Sequence, residues 1–291
     1  MRSYRRVLQA AWQRLDASPR AGLSGTRFGT IEYAEDGSGP AALVSHPLFG
    51  GFDVGLGVGR SFLGPQYRLV APSRFGYLGS TLPSAARPAD QADAYVLVLD
   101  ELALDQVTMF GYSGGGPSAI QFALRHPDRT SALVLLAPAL PGKATVPPEL
   151  VARVLFGSDL FFWLLSNSGT SLLGRILGLP SGFRANDTER EKISQAADSL
   201  FPIAPRKSGV LFDLYVSNPE VQGYPLEELR VPTLILNARD DAMSAYENAV
   251  IAQARIADAE LLSFDRGGHL LLGVEDLIRQ RIGTFIEGAS P

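Results

Sequence analysis

Cysteine is absent from the whole 291-residue chain, which excludes disulfides, thiolate zinc sites, iron–sulfur clusters and a cysteine nucleophile. An excess of one charge is lacking too. With 26 Lys and Arg against 30 Asp and Glu, the formal charge of −4 offers no general attraction to nucleic acid or anionic lipid. Long apolar runs are missing as well: the most hydrophobic later stretch, Leu160 to Leu165, falls far short of the ~20 residues that span a bilayer. The N-terminus is basic (Arg2, Arg5, Arg6, Arg14), but Gln9, Gln13 and Arg14 interrupt any run that a signal peptide would need. A cytoplasmic location without membrane insertion is expected. Histidine is scarce, with only His46, His126 and His269.

What is present is apolar material, 46% of the residues, enough for a sizeable core. Tyr4, Val7, Leu8, Ala11, Trp12 and Leu15 follow helical spacing and predict a short amphipathic helix lying on the domain. Short apolar runs (Ala41 to Ser45, Tyr67 to Ala71, Val107 to Phe110, Ala132 to Leu136) alternate with helical patterns, the signature of a mostly parallel sheet wrapped by helices. Ala92, Tyr95, Val96, Leu99 and Leu102 mark a crossover helix. An antiparallel pair is expected from Arg27 to Ala34, closed by the turn Asp36-Gly37-Ser38-Gly39-Pro40. The pattern resumes with Thr233 to Leu236, a helix started by a Ser244/Glu247 capping box, the run Glu260 to Phe264, and a last helix from about Val274 to Ile286.

From about Pro141 to Pro225 strand signals vanish. Leu155, Phe156, Phe161, Phe162, Trp163, Leu164 and Leu165 concentrate there among breakers such as Pro147-Pro148 and Pro180-Ser181-Gly182. Because sheet pattern brackets this region on both sides, it predicts an inserted helical cap. The expected organisation is an N-terminal helical extension (1–24), an α/β core (25–140 and 226–291) and a cap (141–225). No repeat, phosphate-binding loop or dinucleotide fingerprint follows any expected strand.

Gly111-Tyr112-Ser113-Gly114-Gly115 is a G-x-S-x-G sequence directly after the run Val107 to Phe110 and before a helical segment ending near His126. Small neighbours permit a sharp, strained turn that lifts the hydroxyl above the sheet edge, and the following helix aims its amides at the same place. A serine hydroxyl needs a base. His126 lies at the far end of the helix that begins at Ser113, a structural position. His269, in Gly267-Gly268-His269, sits beyond the last strand's C-terminal end, where parallel sheets place their sites. It is the expected base.

The imidazole in turn needs a carboxylate, which precedes the base in the chain order that such a serine follows. Asp240 and Asp241 both follow the run Thr233 to Leu236. Asp241 is favoured as the fourth residue of a turn opened by Ala238; Asp240 is the fallback and Asp265 a remote third. The oxyanion needs backbone donors, assigned to Gly114 and, in the loop His46-Pro47-Leu48-Phe49-Gly50-Gly51, to Leu48. His46 is expected to stay neutral and order that loop. Phe49, Tyr112, Phe162 and Trp163 are the candidate substrate contacts.

Together, Gly111 to Gly115, His126-Pro127-Asp128-Arg129, Val231-Pro232, Arg239-Asp240-Asp241 and Gly267-Gly268-His269 resemble the lidded α/β-hydrolase superfamily, from about Arg27 to the C-terminus. The resemblance implies a mostly parallel α/β-hydrolase sheet flanked by helices, with an inserted helical cap. One departure is Pro47 where the family usually has glycine; a residue without an amide hydrogen and with a fixed φ stiffens the loop and could move the donor from Leu48 to Phe49. Ser113 argues against the dehalogenating and epoxide-opening relatives, which carry aspartate there. The expected function is hydrolysis of a carboxylic ester or lactone of a partly hydrophobic small molecule through an acyl-enzyme, with no cofactor and no metal. The alternatives are a C–C bond hydrolase, a proline iminopeptidase, a cofactor-free perhydrolase, or a ligand-binding receptor on the same scaffold.

Overall fold

The computed structural model describes residues 3–143, 146–167 and 170–289, so the first two residues of the basic N-terminus lie outside the described residues. Helix α1 (Tyr4–Ala17) precedes a hairpin of β1 (Ala21–Thr26) and β2 (Gly29–Asp36), after which strands and helices alternate: β3 (Ala41–Ser45), α2 (Phe52–Phe62), β4 (Arg68–Pro72), α3 (Pro88–Glu101), β5 (Val107–Tyr112), α4 (Gly116–Arg125) and β6 (Thr130–Leu136). A helical stretch follows, with α5 (Glu149–Leu155), α6 (Asp159–Ser166), α7 (Thr170–Ile176) and α8 (Asp187–Ser199). Then α9 (Lys207–Phe212) runs through a π-helical segment, Asp213–Ser217, into the single turn α10 (Asn218–Glu220). The alternation returns with β7 (Thr233–Ala238), α11 (Tyr246–Arg255), β8 (Ala259–Phe264) and α12 (Glu275–Ala289).

Among the described residues one sheet holds all eight strands in the order β1-β2-β4-β3-β5-β6-β7-β8, antiparallel at β1/β2 and β2/β4 and parallel from β4 through β8. The central strands are buried on both faces, which is why they read as continuous apolar runs. The period of two sorts their side chains. Phe110, Val134, Leu234 and Leu236 pack on α2 and α12, while Met109, Leu133, Leu135 and Ile235 pack on α3, α4 and α11.

Two expectations need correction. The hairpin is longer and lies earlier than Arg27 to Ala34: its turn is at Arg27-Phe28, and Asp36 to Pro40 links β2 to β3. The strand β1 is mostly exposed, with only Leu23 and Thr26 partly covered, so its pattern gave little apolar signal. Likewise α11 starts at Tyr246, behind Ala245 rather than Ser244. Ser244 is instead drawn into the neighbouring loop, donating its hydroxyl to the Ala137 carbonyl at 2.9 Å.

Helix α1 buries Ala11 and Leu15, but Trp12 of the same stripe is exposed. It lies against α6 and α8: Tyr4 meets Trp163 edge-on, and Arg14 donates to the Phe201 carbonyl at 2.8 Å. Among the described residues no helix is long and apolar enough to cross a membrane.

Candidate active site

Strand β5 ends at Tyr112, and Ser113 follows with φ +52°, a left-handed backbone that a non-glycine residue holds only under strain. Its neighbours explain the local sequence. A Cβ on Gly111 would come within 2.7 Å of Ala119 Cβ, and one on Gly115 within 2.2 Å of the Ser45 carbonyl oxygen. Glycine alone lets the turn nest between β3 and α4.

Ser113 Oγ lies 2.8 Å from His269 Nε2, and His269 Nδ1 lies 2.9 Å from Asp241 Oδ2. All three residues are buried. Asp241 ends the turn opened by Ala238, its amide donating to that carbonyl at 3.3 Å, and its Oδ1 accepts the Met243 and Ser244 amides at 2.8 Å each. These bonds fix the carboxylate so that Oδ2 faces the imidazole. Asp240 points elsewhere: it accepts the Gly268 amide at 2.8 Å and holds the loop on which His269 stands. Asp265 is on the surface beside Arg239.

Tyr112 stacks on the His269 ring and donates its hydroxyl to the His269 carbonyl at 2.9 Å. Burial, and then the nearby Asp241 charge, push this phenol well above its ordinary range, so it stays a neutral donor.

The loop after β3 is ordered by His46. Its Nδ1 bonds the Pro47 carbonyl at 2.8 Å, its Nε2 accepts the Arg74 amide at 3.0 Å, and complete burial together with the Arg74 charge holds its pKa well below the ordinary imidazole range. His46 is therefore neutral, with its proton on Nδ1. The Leu48 amide nitrogen stands 3.5 Å from where a Cβ on Gly114 would be.

A cavity of about 580 Å³ opens over Ser113 and His269, with Leu48, Phe49, Val54, Val58, Phe62, Leu177, Leu270 and Leu272 in its walls. Each charged residue of its lining is already in an ion pair: Asp53 with Arg206, Lys192 with Glu275, and Asp276 with Arg279. Phe49 and Tyr112 are in the wall. Phe162 and Trp163 are not, which corrects their expected place: Phe162 is buried behind Phe49 against Phe201, and Trp163 packs with Tyr4 of α1. Their helix turns its apolar face toward α1 and α7, a pairing that spacing in the sequence does not reveal. His126 pairs with Asp93 at the far end of α4.

Sequence reading missed two buried ion pairs that join this region to the helices between β6 and β7. Arg74, after β4, grips Asp213 through two bonds of 2.6 and 2.5 Å, with Tyr77 donating to the same carboxylate at 2.5 Å. Arg206, fully buried, grips Asp53 at 3.0 and 2.7 Å. The partners stand 139 and 153 residues apart, so no local pattern signals them.

A strained serine turn at the end of a parallel strand, with histidine and aspartate from the loops after later strands, defines the class as a hydrolase built on an α/β sheet. The chain belongs to the alpha/beta hydrolase fold family, whose model matches residues 43–276. It is 28% identical to the uncharacterized hydrolase YcgS of Bacillus subtilis, over 85% of this chain and 91% of that one. A 2-hydroxy-6-oxo-6-phenylhexa-2,4-dienoate hydrolase of Burkholderia cepacia is 25% identical, over 85% and 86%. Among solved structures, an alpha/beta hydrolase fold protein from Nakamurella multipartita superposes with a TM-score of 0.79 at 27% identity, covering 94% of this chain and 100% of that one.

Proposed function

We propose that this chain is a serine hydrolase that cleaves a carboxylic ester or lactone of a largely apolar, uncharged small molecule. The observation that carries the reading is the hydrogen-bonded chain Ser113–His269–Asp241 opening onto a mainly apolar cavity. In this reading His269 takes the Ser113 proton as the hydroxyl attacks the acyl carbon, and Asp241 holds the imidazole in the required tautomer and stabilises its cation. The alkoxide or alcohol leaves with the proton that His269 returns. Water, activated by the same histidine, then releases the acid from the acyl-enzyme.

The amides of Gly114 and Leu48 receive the oxyanion. Leu48 is preferred to Phe49 because its amide nitrogen stands 3.5 Å from where a Cβ on Gly114 would be. The ester or lactone preference comes from the cavity's charges. The Burkholderia relative's named substrate is a dienoate and so carries a carboxylate, whereas here Lys192 and Arg279 are each matched by an acid at the rim. A neutral substrate avoids the far larger cost of bringing an unpaired carboxylate into such a site.

Purified protein is expected to hydrolyse p-nitrophenyl esters and to be labelled on Ser113 by a fluorophosphonate, with Ser113→Ala and His269→Ala each abolishing turnover while circular dichroism stays unchanged. A screen across esters, lactones and vinylogous 1,5-diketones locates the bond class. Turnover confined to the diketones would replace the ester reading with C–C hydrolysis, and absence of both turnover and labelling would sink the enzyme reading.

A further inference from the structure

Helix α7 stops at Leu177-Gly178-Leu179 with a Schellman cap: Gly178 takes φ +76°, the Leu179 amide donates to the Gly174 carbonyl at 2.8 Å, and the Gly178 amide donates to the Arg175 carbonyl at 3.2 Å. Glycine is what this left-handed position favours. The cap turns the Gly178 carbonyl out of its own helix and into the core. There it accepts the amides of Ala242 and His269, each at 3.1 Å. A carbonyl has two lone pairs, and here both are used to join two loops.

The loops are the ones that matter to the site: Ala242 adjoins Asp241 after β7, and His269 stands after β8. Contact is close from both sides. A Cβ on Gly178 would lie 2.4 Å from His269 Cβ and 3.0 Å from Met243 Cβ, and a Cβ on Gly268 would lie 2.6 Å from Leu179 Cδ2. A second tie runs parallel, with Arg266, three residues before His269, bonding Glu189 of α8 at 2.8 and 2.9 Å.

We propose that Gly178 is a positioning residue whose carbonyl clamps the acid loop to the base loop, so that docking of the inserted helices aligns His269 between Asp241 and Ser113. The proposal rests on the reading of His269 as the base. It gives the insertion a second task besides walling the cavity: displacing α7 from the core releases the base.

The test compares Gly178→Ala with Gly182→Ala in the full-length chain. Gly182 has φ +82° with nothing within 4 Å of its absent Cβ, so alanine there imposes the same backbone strain without touching either loop. Gly178→Ala is expected to lower kcat by roughly tenfold to a hundredfold, as small misplacements of a catalytic group do, with KM little changed. The acidic limb of its pH profile shifts, and so does the His269 imidazole titration followed by NMR and assigned with His269→Ala. Gly182→Ala keeps wild-type kcat, KM and titration while losing similar thermal stability.

The NMR titration requires no substrate, so it judges the clamp even if wild-type protein hydrolyses nothing, and fluorophosphonate labelling separately judges the hydrolase reading. A folded Gly178→Ala protein with wild-type titration and kcat, or an equal loss in Gly182→Ala, overturns the proposal. Should Gly178→Ala not fold, hydrogen exchange in the wild-type protein reads the clamp directly, because the Ala242 and His269 amides both donate to the Gly178 carbonyl. Both amides are then expected to be protected to the same degree, and fast exchange of either one overturns the clamp.

Discussion

Replacing Asp241 by Asn preserves shape but offers His269 Nδ1 an amide that can donate, which favours the tautomer with its proton on Nε2, facing Ser113. On the proposed assignment kcat falls by about 10⁴. Asp240→Asn keeps an oxygen for the Gly268 amide and is expected to cost no more than about tenfold, with a lower melting temperature. Steady-state kinetics of the two variants check this, and a larger loss at Asp240 would exchange their roles. Both carboxylates were visible in the sequence as neighbours after a strand. The turn opened by Ala238 favoured Asp241, but the facing of its carboxylate depends on how the Met243 and Ser244 amides fold back onto Oδ1.

At the scale of elements, the inserted helices are fastened to the core by buried charge. Asp213 and Arg206 are fully enclosed, and their partners Arg74 and Asp53 nearly so. Removing one partner strands the other's charge in a low-dielectric interior, so Asp213→Ala is expected to lower unfolding free energy by about 3–5 kcal/mol. The exposed pair Arg153–Glu149 on α5 serves as the contrast, since Arg153→Ala should change stability by no more than about 0.5 kcal/mol. Urea titrations of both variants test the difference; equal midpoints would mean that the Arg74–Asp213 pair holds nothing in place.

For the whole molecule, stability is expected to fall on mild acidification because of His46. Its folded-state pKa is lowered well below the ordinary value, so as pH drops through about 6.5 the unfolded chain takes up a proton that the folded chain refuses. The stabilisation is complete above that pH and is lost progressively toward the lower folded pKa, by up to about 1.4 kcal/mol per pH unit for one site. Melting temperatures between pH 7.5 and 5 are expected to decline in the wild-type protein and to decline less in His46→Gln. Parallel curves would show that another group sets the slope.

Length, composition and period determined the parallel part of the sheet, the order of its helices and the place of the insertion, because burial on two faces or one stripe leaves a mark every two or every 3.6 residues. The serine turn was equally legible: a strained turn demands small neighbours, and those are local. With three histidines, elimination left His269. Only the tertiary structure decided matters that depend on residues far apart in the chain: that Asp241 and not Asp240 meets His269, that Phe162 and Trp163 pack behind the cavity wall rather than in it, and that Gly178 bonds both loops. Such contacts arise when separately patterned elements dock. No single element's spacing carries a record of the neighbour it will meet.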